Sequence, residues 1–378
     1  MTYALWARAP DMFDSGEARV SGSPRADPSS PREPPPPGGA GERGSERSRR
    51  WIAAAAFVGL ALLVFVVTRT DLGNLLATVR GIAPRLLLLP LLAAMASYVT
   101  MALSYQGIAA AAGWRVRFSD MWRITLVANT ANYLLSTGGL SGFALRMYLF
   151  TRRGIPAGNA VIISLVQTLL TNLVLLPFII AGFALLLVSH SIMGRDLFLA
   201  AGMLAGFSGI VLAACVVVLH RRWRQRAFLV SARLADSALQ RFAPHHRPSP
   251  LQLMRFQHHL NVGIDFLLGR PHEMWAPTLY IVLDWAFTLL ILYASFVAIG
   301  HPIAVSYVIA GFAIGMFCSI VSFVPAGLGI LEGSMAAVFA SLDVPLEQAV
   351  VAVLIFRVSY YVVPLFVSIA LVRPTLRV

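Results

Sequence analysis

Four ionisable side chains lie within or beside apolar stretches that are long enough to cross a bilayer: Arg146, Asp284, Glu332 and Arg357. An uncompensated charge at the bilayer centre costs about 2.5–3.5 kcal/mol on insertion scales, so such residues usually pair or line a polar cavity. Arginine binds phosphate oxygens, whereas a carboxylate can meet an ammonium group or carry a proton. Two interpretations stay open: a headgroup-binding cavity, or a structural pair of Arg357 with Glu332 or Asp284.

Two glycine-rich breaks interrupt the apolar helices near these charges. One runs over residues 323–333 and the other over residues 132–146. Irregular backbone at membrane depth is tolerated only where protein or a water-filled cavity surrounds it. Both segments are therefore expected to be broken or re-entrant and to line a polar site. The other residues predicted to bind substrate are Gly138, Gly139, Gly327, Gly329 and Tyr360.

The composition is that of a membrane protein. Hydrophobic residues make up 58% of the 378 positions and charged residues only 12%, against about 25% charged in soluble domains. A hydrocarbon core of ~30 Å takes about 20 helical residues, which predicts an all-α, polytopic transmembrane bundle of seven or eight spans. The apolar segments are 51–68, 86–110, 124–150 (favoured as re-entrant), 158–188, 197–219, 276–299, 303–323, a short helix at 334–341, and 347–372.

An internal repeat is indicated when the chain is shifted by 189 positions. The shift aligns Phe150 with Phe339 and Pro156 with Pro345. Each half has the same order of features: a glycine-rich break, a short apolar helix, a turn with proline and a long span. Transporter folds often contain duplicated halves whose broken helices meet at a midplane site.

The segments outside the predicted spans suggest an orientation. Residues 1–50 are rich in Pro, Gly, Ser and Arg and are expected to be a disordered tail, with 51–372 the membrane domain and 373–378 a short tail. Arginines before the first span predict a cytoplasmic N-terminus in the inner membrane. Residues 220–275 form a basic loop, in which apolar positions from Trp223 to Phe242 predict an amphipathic helix on the inner leaflet.

The charge and the cysteines exclude several classes of function. The formal charge is +13, and no lysine is present. The arginines flank spans instead of forming one basic face, which argues against nucleic-acid binding. Cys215 and Cys318 both lie in apolar runs, and the histidine pairs lack ligand spacing. No metal and no cofactor are therefore predicted.

The motifs resemble those of a known family. Residues 138–146 in the first half, and in the second half residues 324–332, Arg357-Val-Ser-Tyr-Tyr361 and Pro364, are similar to the multi-pass domain of bacterial lysylphosphatidylglycerol synthases. The resemblance spans roughly residues 50–372. It implies a domain associated with flipping an aminoacylated lipid, while a separate soluble domain attaches lysine. That soluble domain has no counterpart here, so lysyltransferase activity is not expected.

Three classes of function remain open at this point. The first is a flippase-like transporter of anionic or aminoacylated phospholipid, acting alone or as a homo-oligomer. The second is a membrane-embedded lipid-modifying enzyme or glycosyltransferase, and the third a non-transporting scaffold. The first external loop offers only Asp71, whereas a polyprenyl-phosphate-dependent glycosyltransferase would need acids there for metal binding or catalysis. The transporter is therefore the favoured interpretation.

Overall fold

The computed structural model describes residues 72–135, 140–189, 195–242, 250–322 and 327–376, and every regular element in these ranges is helical. The all-α prediction is thus confirmed. The predicted tail (1–50) and first span (51–68) lie outside the described residues. The helices are α1 (Leu72–Arg80), α2 (Leu88–Ala111), α3 (Phe118–Leu135), α4 (Leu140–Arg152), α5 (Ala157–Ser189), α6 (Arg195–Leu219), α7 (Arg221–Phe242), α8 (Pro250–Leu268), α9 (Pro271–Ala298), α10 (Val305–Ser322), α11 (Ile330–Ser341), α12 (Leu346–Arg357), a π-helical turn (Val358–Val362) and α13 (Val363–Leu376).

Five segments of the described chain are long and apolar enough to cross a membrane. A sixth arises only if α6 and the start of α7 count as one span, which is bent by 103°. The sequence predicts seven or eight crossings, and three features account for the difference. The predicted span 51–68 lies outside the described residues, segment 124–150 folds as a hairpin, and the predicted span 197–219 counts only together with the start of α7. The five segments are Leu88–Ala111, Ala157–Leu186, Pro271–Ala298, Val305–Ser322 and Leu346–Val372.

Helices α3 and α4 form the first hairpin. Near its tip the Ser141 hydroxyl donates to the Ala131 carbonyl over 3.2 Å. At its base Arg153 and Asp120 form an ion pair at 3.1 Å. Because the two ends of the hairpin lie side by side, the segment doubles back on itself, which is the shape expected of a re-entrant segment.

Helices α10 and α11 form the second hairpin in the same way. A Cβ added at Gly315 would collide with the Met335 side chain, and one at Gly311 with the Phe339 ring. The contacts advance along α10 as they retreat along α11, so the two helices are antiparallel. Glycine at these positions lets the helices approach closely enough for the aromatic ring of α11 to pack against α10.

The 189-residue repeat is present in the backbone. Ile155 N–H donates to the Phe150 carbonyl at 3.1 Å, and the equivalent Val344 N–H donates to Phe339 at the same distance. Gly154 and its equivalent Asp343 both have positive φ, at 77° and 62°. In each half the next long helix starts directly after the proline that the shift aligns. The two halves are therefore structural repeats.

The repeats are inverted relative to each other. Helix α2 of the first half packs along α9, its counterpart in the second half. Ser97 of α2 bonds Asp284 of α9, while further along α2 Gly107 lies against the earlier residue Pro277. Equivalent helices thus run antiparallel and the two hairpins point in opposite directions, the arrangement of inverted repeats in many transporters.

Each hairpin packs on the last helix of the other half. Helix α10 packs on α5, and α3 packs on α13. The Thr130 and Ser368 hydroxyls join α3 to α13 at 2.7 Å. This exchange interlocks the repeats, so a movement of one hairpin changes the surroundings of the opposite half.

The sequence missed two elements. Helix α8 lies in the segment expected to be a basic loop, where polar and histidine residues hide its helical pattern. The π-helical turn at Val358–Val362 interrupts the last predicted span. Elsewhere the predicted spans end within about five residues of the observed helices, which is a little beyond the usual disagreement over helix ends.

Candidate functional site

The centre of the site is a buried ion pair between the second hairpin and the last long helix. Nε of Arg357 lies 2.5 Å from Oε1 of Glu332. The two residues are only 7% and 8% exposed. Nη2 of Arg357 also donates to the Gly327 carbonyl at 3.1 Å. Oε2 of Glu332 has no hydrogen-bond partner among the described residues, so the carboxylate keeps an acceptor for another group.

Local backbone features bring these groups together. Gly327 and Gly329 have φ of 61° and 78°, a region that side chains other than glycine rarely adopt. The chain turns there and aims the Gly327 carbonyl at the last residue of α12. Glu332 lies in the first turn of α11, where the helix dipole favours a negative charge.

A cluster of tyrosines surrounds Arg357 and connects the two halves. The guanidinium lies 4.3 Å from the centroid of the Tyr361 ring. That ring packs on Tyr133 of the first hairpin, with centroids 4.4 Å apart. Tyr98 of α2 donates its hydroxyl to the Tyr360 carbonyl at 3.1 Å. The π-helical turn carries both Tyr360 and Tyr361, and such turns occur frequently at functional sites.

Asp284 is buried separately from the Glu332–Arg357 pair. It is 5% exposed, and its Oδ1 accepts a 2.5 Å hydrogen bond from the Ser97 hydroxyl. The Thr288 hydroxyl donates to the Asp284 carbonyl at 2.8 Å. No ion pair of Asp284 occurs within the described ranges. Of the two pairings that the sequence left open for Arg357, the structure forms the one with Glu332.

Arg146 lies in α4, on the side of the first hairpin that faces α2. It is 7% exposed, and its guanidinium stacks 4.2 Å above the Tyr105 ring centroid. In the part of the chain that the structure describes, its Nε has no hydrogen-bond partner and no acid pairs with it. Aromatic stacking compensates only part of the charge, so Arg146 can accept an anion.

A polar stripe crosses the middle of α5. The Ser104 hydroxyl donates to Gln167 Oε1 at 2.7 Å, and Trp285 Nε1 donates to the Thr171 carbonyl at 3.3 Å. Thr168 and Asn172 instead bond to carbonyls of their own helix. Gln167 thus has a structural role between helices, whereas Thr168 remains exposed at membrane depth.

The structure describes most of the residues that were predicted to bind substrate, but these residues do not all lie in one cluster. It brings Glu332, Arg357, Gly327 and Tyr360 together, while Asp284 and Arg146 have partners of their own. Gly138 and Gly139 lie outside the described residues. The predictions overlooked Tyr361, although its position four residues after Arg357 predicts one shared helical face. In the described ranges no three His, Cys, Asp or Glu side chains come together as a metal site would require.

The two halves differ chemically at this position. The shift of 189 positions places Phe143 opposite Glu332 and Thr168 opposite Arg357. The first half therefore has no equivalent ion pair, although its backbone has the same design. Its buried cation, Arg146, lies one turn away and is equivalent to Met335.

These features define a class of protein: a polytopic membrane protein of two inverted repeats, each with a helical hairpin, and with buried charges at the hairpins. The chain belongs to the family described as "Lysylphosphatidylglycerol synthase TM region", whose model matches residues 51–368. It is a multi-pass cell-membrane protein of that family.

Curated relatives match a shorter segment. The phosphatidylglycerol lysyltransferase of Staphylococcus haemolyticus (strain JCSC1435) is 34% identical over 94 residues. That of Staphylococcus aureus (strain COL) is 30% identical over 94 residues. In both, the alignment covers 25% of this chain and only 11% of the relative. The similarity thus involves a small part of each relative.

Proposed function

We propose that this protein translocates the headgroup of an anionic or aminoacylated phospholipid across the cytoplasmic membrane. The observation that carries the proposal is the buried Glu332–Arg357 pair at the break of the second hairpin. Arginine suits a lipid phosphate, and the remaining acceptor of Glu332 suits an ammonium group. Membership of the family supports a link to phospholipids.

The proposal includes no lysyl transfer by this chain. The family model that matches it describes a membrane region. The buried charges at the hairpins and on the helices beside them are Arg146, Arg357, Glu332 and Asp284. They lie among tyrosines and hydroxyls, which suit binding of a zwitterionic headgroup. The lysyltransferase activity in the names of the relatives belongs to those proteins.

The inverted repeat supports a route for the headgroup. Hairpins that enter from opposite sides place their breaks toward the middle of the membrane, where transporters of this architecture bind substrate. Arg146 of the first hairpin would meet the phosphate on one side, and the Glu332–Arg357 pair would meet it on the other. The acyl chains would stay in the lipid while the headgroup crosses.

The test is a translocation assay in proteoliposomes. Purified protein is reconstituted with headgroup-labelled phosphatidylglycerol, phosphatidylethanolamine or a cationic aminoacyl lipid, and outer-leaflet accessibility is followed over time. The double variant Glu332→Gln/Arg357→Gln should lose transport of the lipid that the native protein moves. The matched control is Arg270→Gln/Glu273→Gln, which removes a more exposed pair at 3.1 Å and should transport normally.

Two results would contradict the proposal. One is equal transport by the native protein and the Glu332→Gln/Arg357→Gln variant, which would make the pair structural. The other is no movement of any labelled lipid by the native protein, which would favour an enzyme or a scaffold. Because the double variant removes both charges together, it leaves no uncompensated buried ion.

The proposed orientation places the N-terminus in the cytoplasm. It rests on the arginines at positions 43, 47, 49 and 50, just before the first predicted span. A protease site added before Met1 should be cleaved only from the cytoplasmic side of inside-out vesicles. Cleavage in intact spheroplasts would show the opposite orientation, with the N-terminus outside the cytoplasm.

A further inference from the structure

The corner between α6 and α7 is held by one buried arginine. The segments Leu204–Leu219 and Arg221–Ser231 meet at 103°. Inside the corner Arg224 is 4% exposed and donates to the Val218 carbonyl at 2.7 Å. It also binds Asn261 at 2.6 Å and Asp265 at 2.5 Å, both on α8. Three helices are thus joined through a single guanidinium, which fixes the direction of α7.

The outer face of α7 carries two adjacent stripes. At about 100° per residue, Arg222, Arg226 and Arg233 fall within an arc of roughly 40°. Trp223, Ala227 and Val230 form the neighbouring stripe, and all six residues are exposed. The exposed fraction is 50% for Trp223 and 55% for Val230. The inner face, with Arg224 and Phe228, packs toward the bundle.

The surroundings of α7 indicate what contacts the outer face. The end of α6 exposes apolar side chains, including Val216 at 52% and Leu219 at 58%. An exposed apolar helix that turns by about a right angle leads from the hydrocarbon region to its boundary. A helix lying there, with an aromatic and an aliphatic residue beside arginines, has the chemistry of an interfacial helix.

We propose that the outer face of α7 binds anionic phospholipid headgroups of the leaflet reached by the end of α6. Trp223 and Val230 would enter the headgroup boundary, and Arg222, Arg226 and Arg233 would contact lipid phosphates. The guanidinium of Arg226 already lies 5.6 Å from the Trp223 ring centroid, which keeps the charge beside the anchor. This inference does not rest on the proposed transport.

Charge complementarity favours lipid over a second copy of the chain. A two-fold contact through this face would bring the same three arginines of each copy together. No acid occurs on α7 before Asp236, and Asp265 is already engaged by Arg224. An anionic leaflet instead supplies many negative charges at the depth where the apolar stripe needs cover.

The experiment uses a fluorophore on the apolar stripe. In the full chain with Cys215→Ser and Cys318→Ser, Ala227→Cys is labelled with an environment-sensitive NBD group. The protein is placed in nanodiscs of phosphatidylcholine with or without phosphatidylglycerol. The anionic lipid should shift the emission to the blue and raise its intensity. Added salt should reduce the effect, because it screens exposed charges.

Paired variants separate the arginine stripe from total charge. Arg222→Gln/Arg226→Gln should lower the equilibrium constant for contact between α7 and anionic lipid on the order of 25-fold. Each arginine near such a surface contributes about a fivefold factor. Arg115→Gln/Arg117→Gln removes two exposed charges elsewhere and should leave the shift unchanged. If the double variant does not fold, Arg226→Gln alone should give about a fivefold loss.

Three outcomes would overturn the proposal. One is the same emission in both kinds of nanodisc, and another is a full shift in the Arg222→Gln/Arg226→Gln variant. The third is a shift in lipid-free detergent that grows with protein concentration, which would assign the face to a second copy. None of these outcomes depends on whether the protein moves lipid, so the two proposals fail independently.

Discussion

Burial makes the Glu332–Arg357 pair depend on both partners. Removing one partner of a buried pair costs about 3–5 kcal/mol because it leaves an uncompensated charge, a cost that replacing both partners by uncharged residues of similar volume avoids. The short approach of Arg357 Nε to Glu332 and its bond to the Gly327 carbonyl connect three segments of chain. The pair therefore contributes to stability as well as to the proposed headgroup site.

Single and double substitutions should behave differently in unfolding. Arg357→Gln leaves the Glu332 carboxylate uncompensated and should lower the free energy of unfolding by about 3–5 kcal/mol. Glu332→Gln/Arg357→Gln should recover most of that loss, because no buried charge remains. Denaturant unfolding of the purified protein in micelles measures both. A double variant as unstable as the single one would show that the charges are not the cause.

The buried cation of the first hairpin, Arg146, predicts a specific loss. Arg146→Gln should slow transport of a phosphate-bearing lipid by about ten- to a hundredfold, the value of a charge-assisted hydrogen bond. The transport rate of Arg146→Lys should lie between those of the native protein and Arg146→Gln, because lysine keeps the charge but not the planar group above Tyr105. The proteoliposome assay measures the initial rates.

A control for this prediction lies on the same helix. Arg152 is exposed and its guanidinium stands 5.3 Å from the Tyr148 ring centroid. Arg152→Gln removes the same charge from α4 outside the interior and should transport normally. Equal slowing by both substitutions would mean that total charge, and not the site at Arg146, sets the rate.

At the scale of residues, the sequence predicts which groups are costly but not which ones meet. Glu332, Arg357, Asp284 and Arg146 stand out because charges in apolar runs are rare. Whether Arg357 pairs with Glu332 or with Asp284 depends on distances between helices far apart in the chain. The Ser97 bond to Asp284 is of that kind, since a serine in an apolar helix predicts no particular partner.

At the scale of elements, the hairpins depend on close approach between helices. A Cβ at Gly315 would collide with the Met335 side chain. Gly315→Ala should therefore lower the stability by about 1–3 kcal/mol, the usual cost of overpacking. Thermal unfolding in micelles measures it.

Gly209 of α6 serves as the matched control. An added Cβ there meets nothing within 4 Å, so Gly209→Ala should be neutral or slightly stabilising, as alanine is in exposed helices. If Gly315→Ala behaved like Gly209→Ala, then α10 and α11 would not be in the close contact described.

Most elements could be predicted because long apolar runs have few alternatives. Glycine and proline mark the two breaks, and helix ends follow. Helix α8 was not predicted because its polar residues show no regular spacing of apolar positions. Its stability comes from packing, as the contact of Gly263 with Ile162 shows. The π-helical turn escaped because a single inserted residue leaves no mark in the composition.

At the scale of the whole molecule, the inverted repeat predicts a pattern of accessibility. Arg152 and Ser341 are equivalent under the repeat and both are exposed. A membrane-impermeant thiol reagent should label Arg152→Cys and Ser341→Cys from opposite sides in a background without Cys215 and Cys318. Arg115→Cys, which precedes the first hairpin, should be labelled from the same side as Arg152→Cys. Labelling of all three from one side would contradict the inversion.

The repeat could be inferred from the sequence, but its inversion could not. The shift of 189 positions appears in matched glycines, prolines and aromatic residues. Relative orientation depends on how many times the chain crosses, and the parity was open while two segments could either cross or return. The contacts of α2 with α9 settle the relative direction of the two halves, because they join helices that are far apart in the sequence.

The chemical inequality of the two halves has a thermodynamic consequence. A headgroup that approaches from one leaflet would meet Arg146, and from the other a carboxylate joined to a guanidinium. Such inequality changes barrier heights, but forward and backward passage share the same barriers. A binding site changes how fast the lipid distributes between the leaflets, but not the final distribution, because the lipid is not bound to the site at the end. If its movement is not coupled to an ion gradient, a lipid moved only by this protein stops accumulating when its chemical potential is equal in both leaflets. A lasting asymmetry then has to come from a process that makes, traps or consumes the lipid on one side.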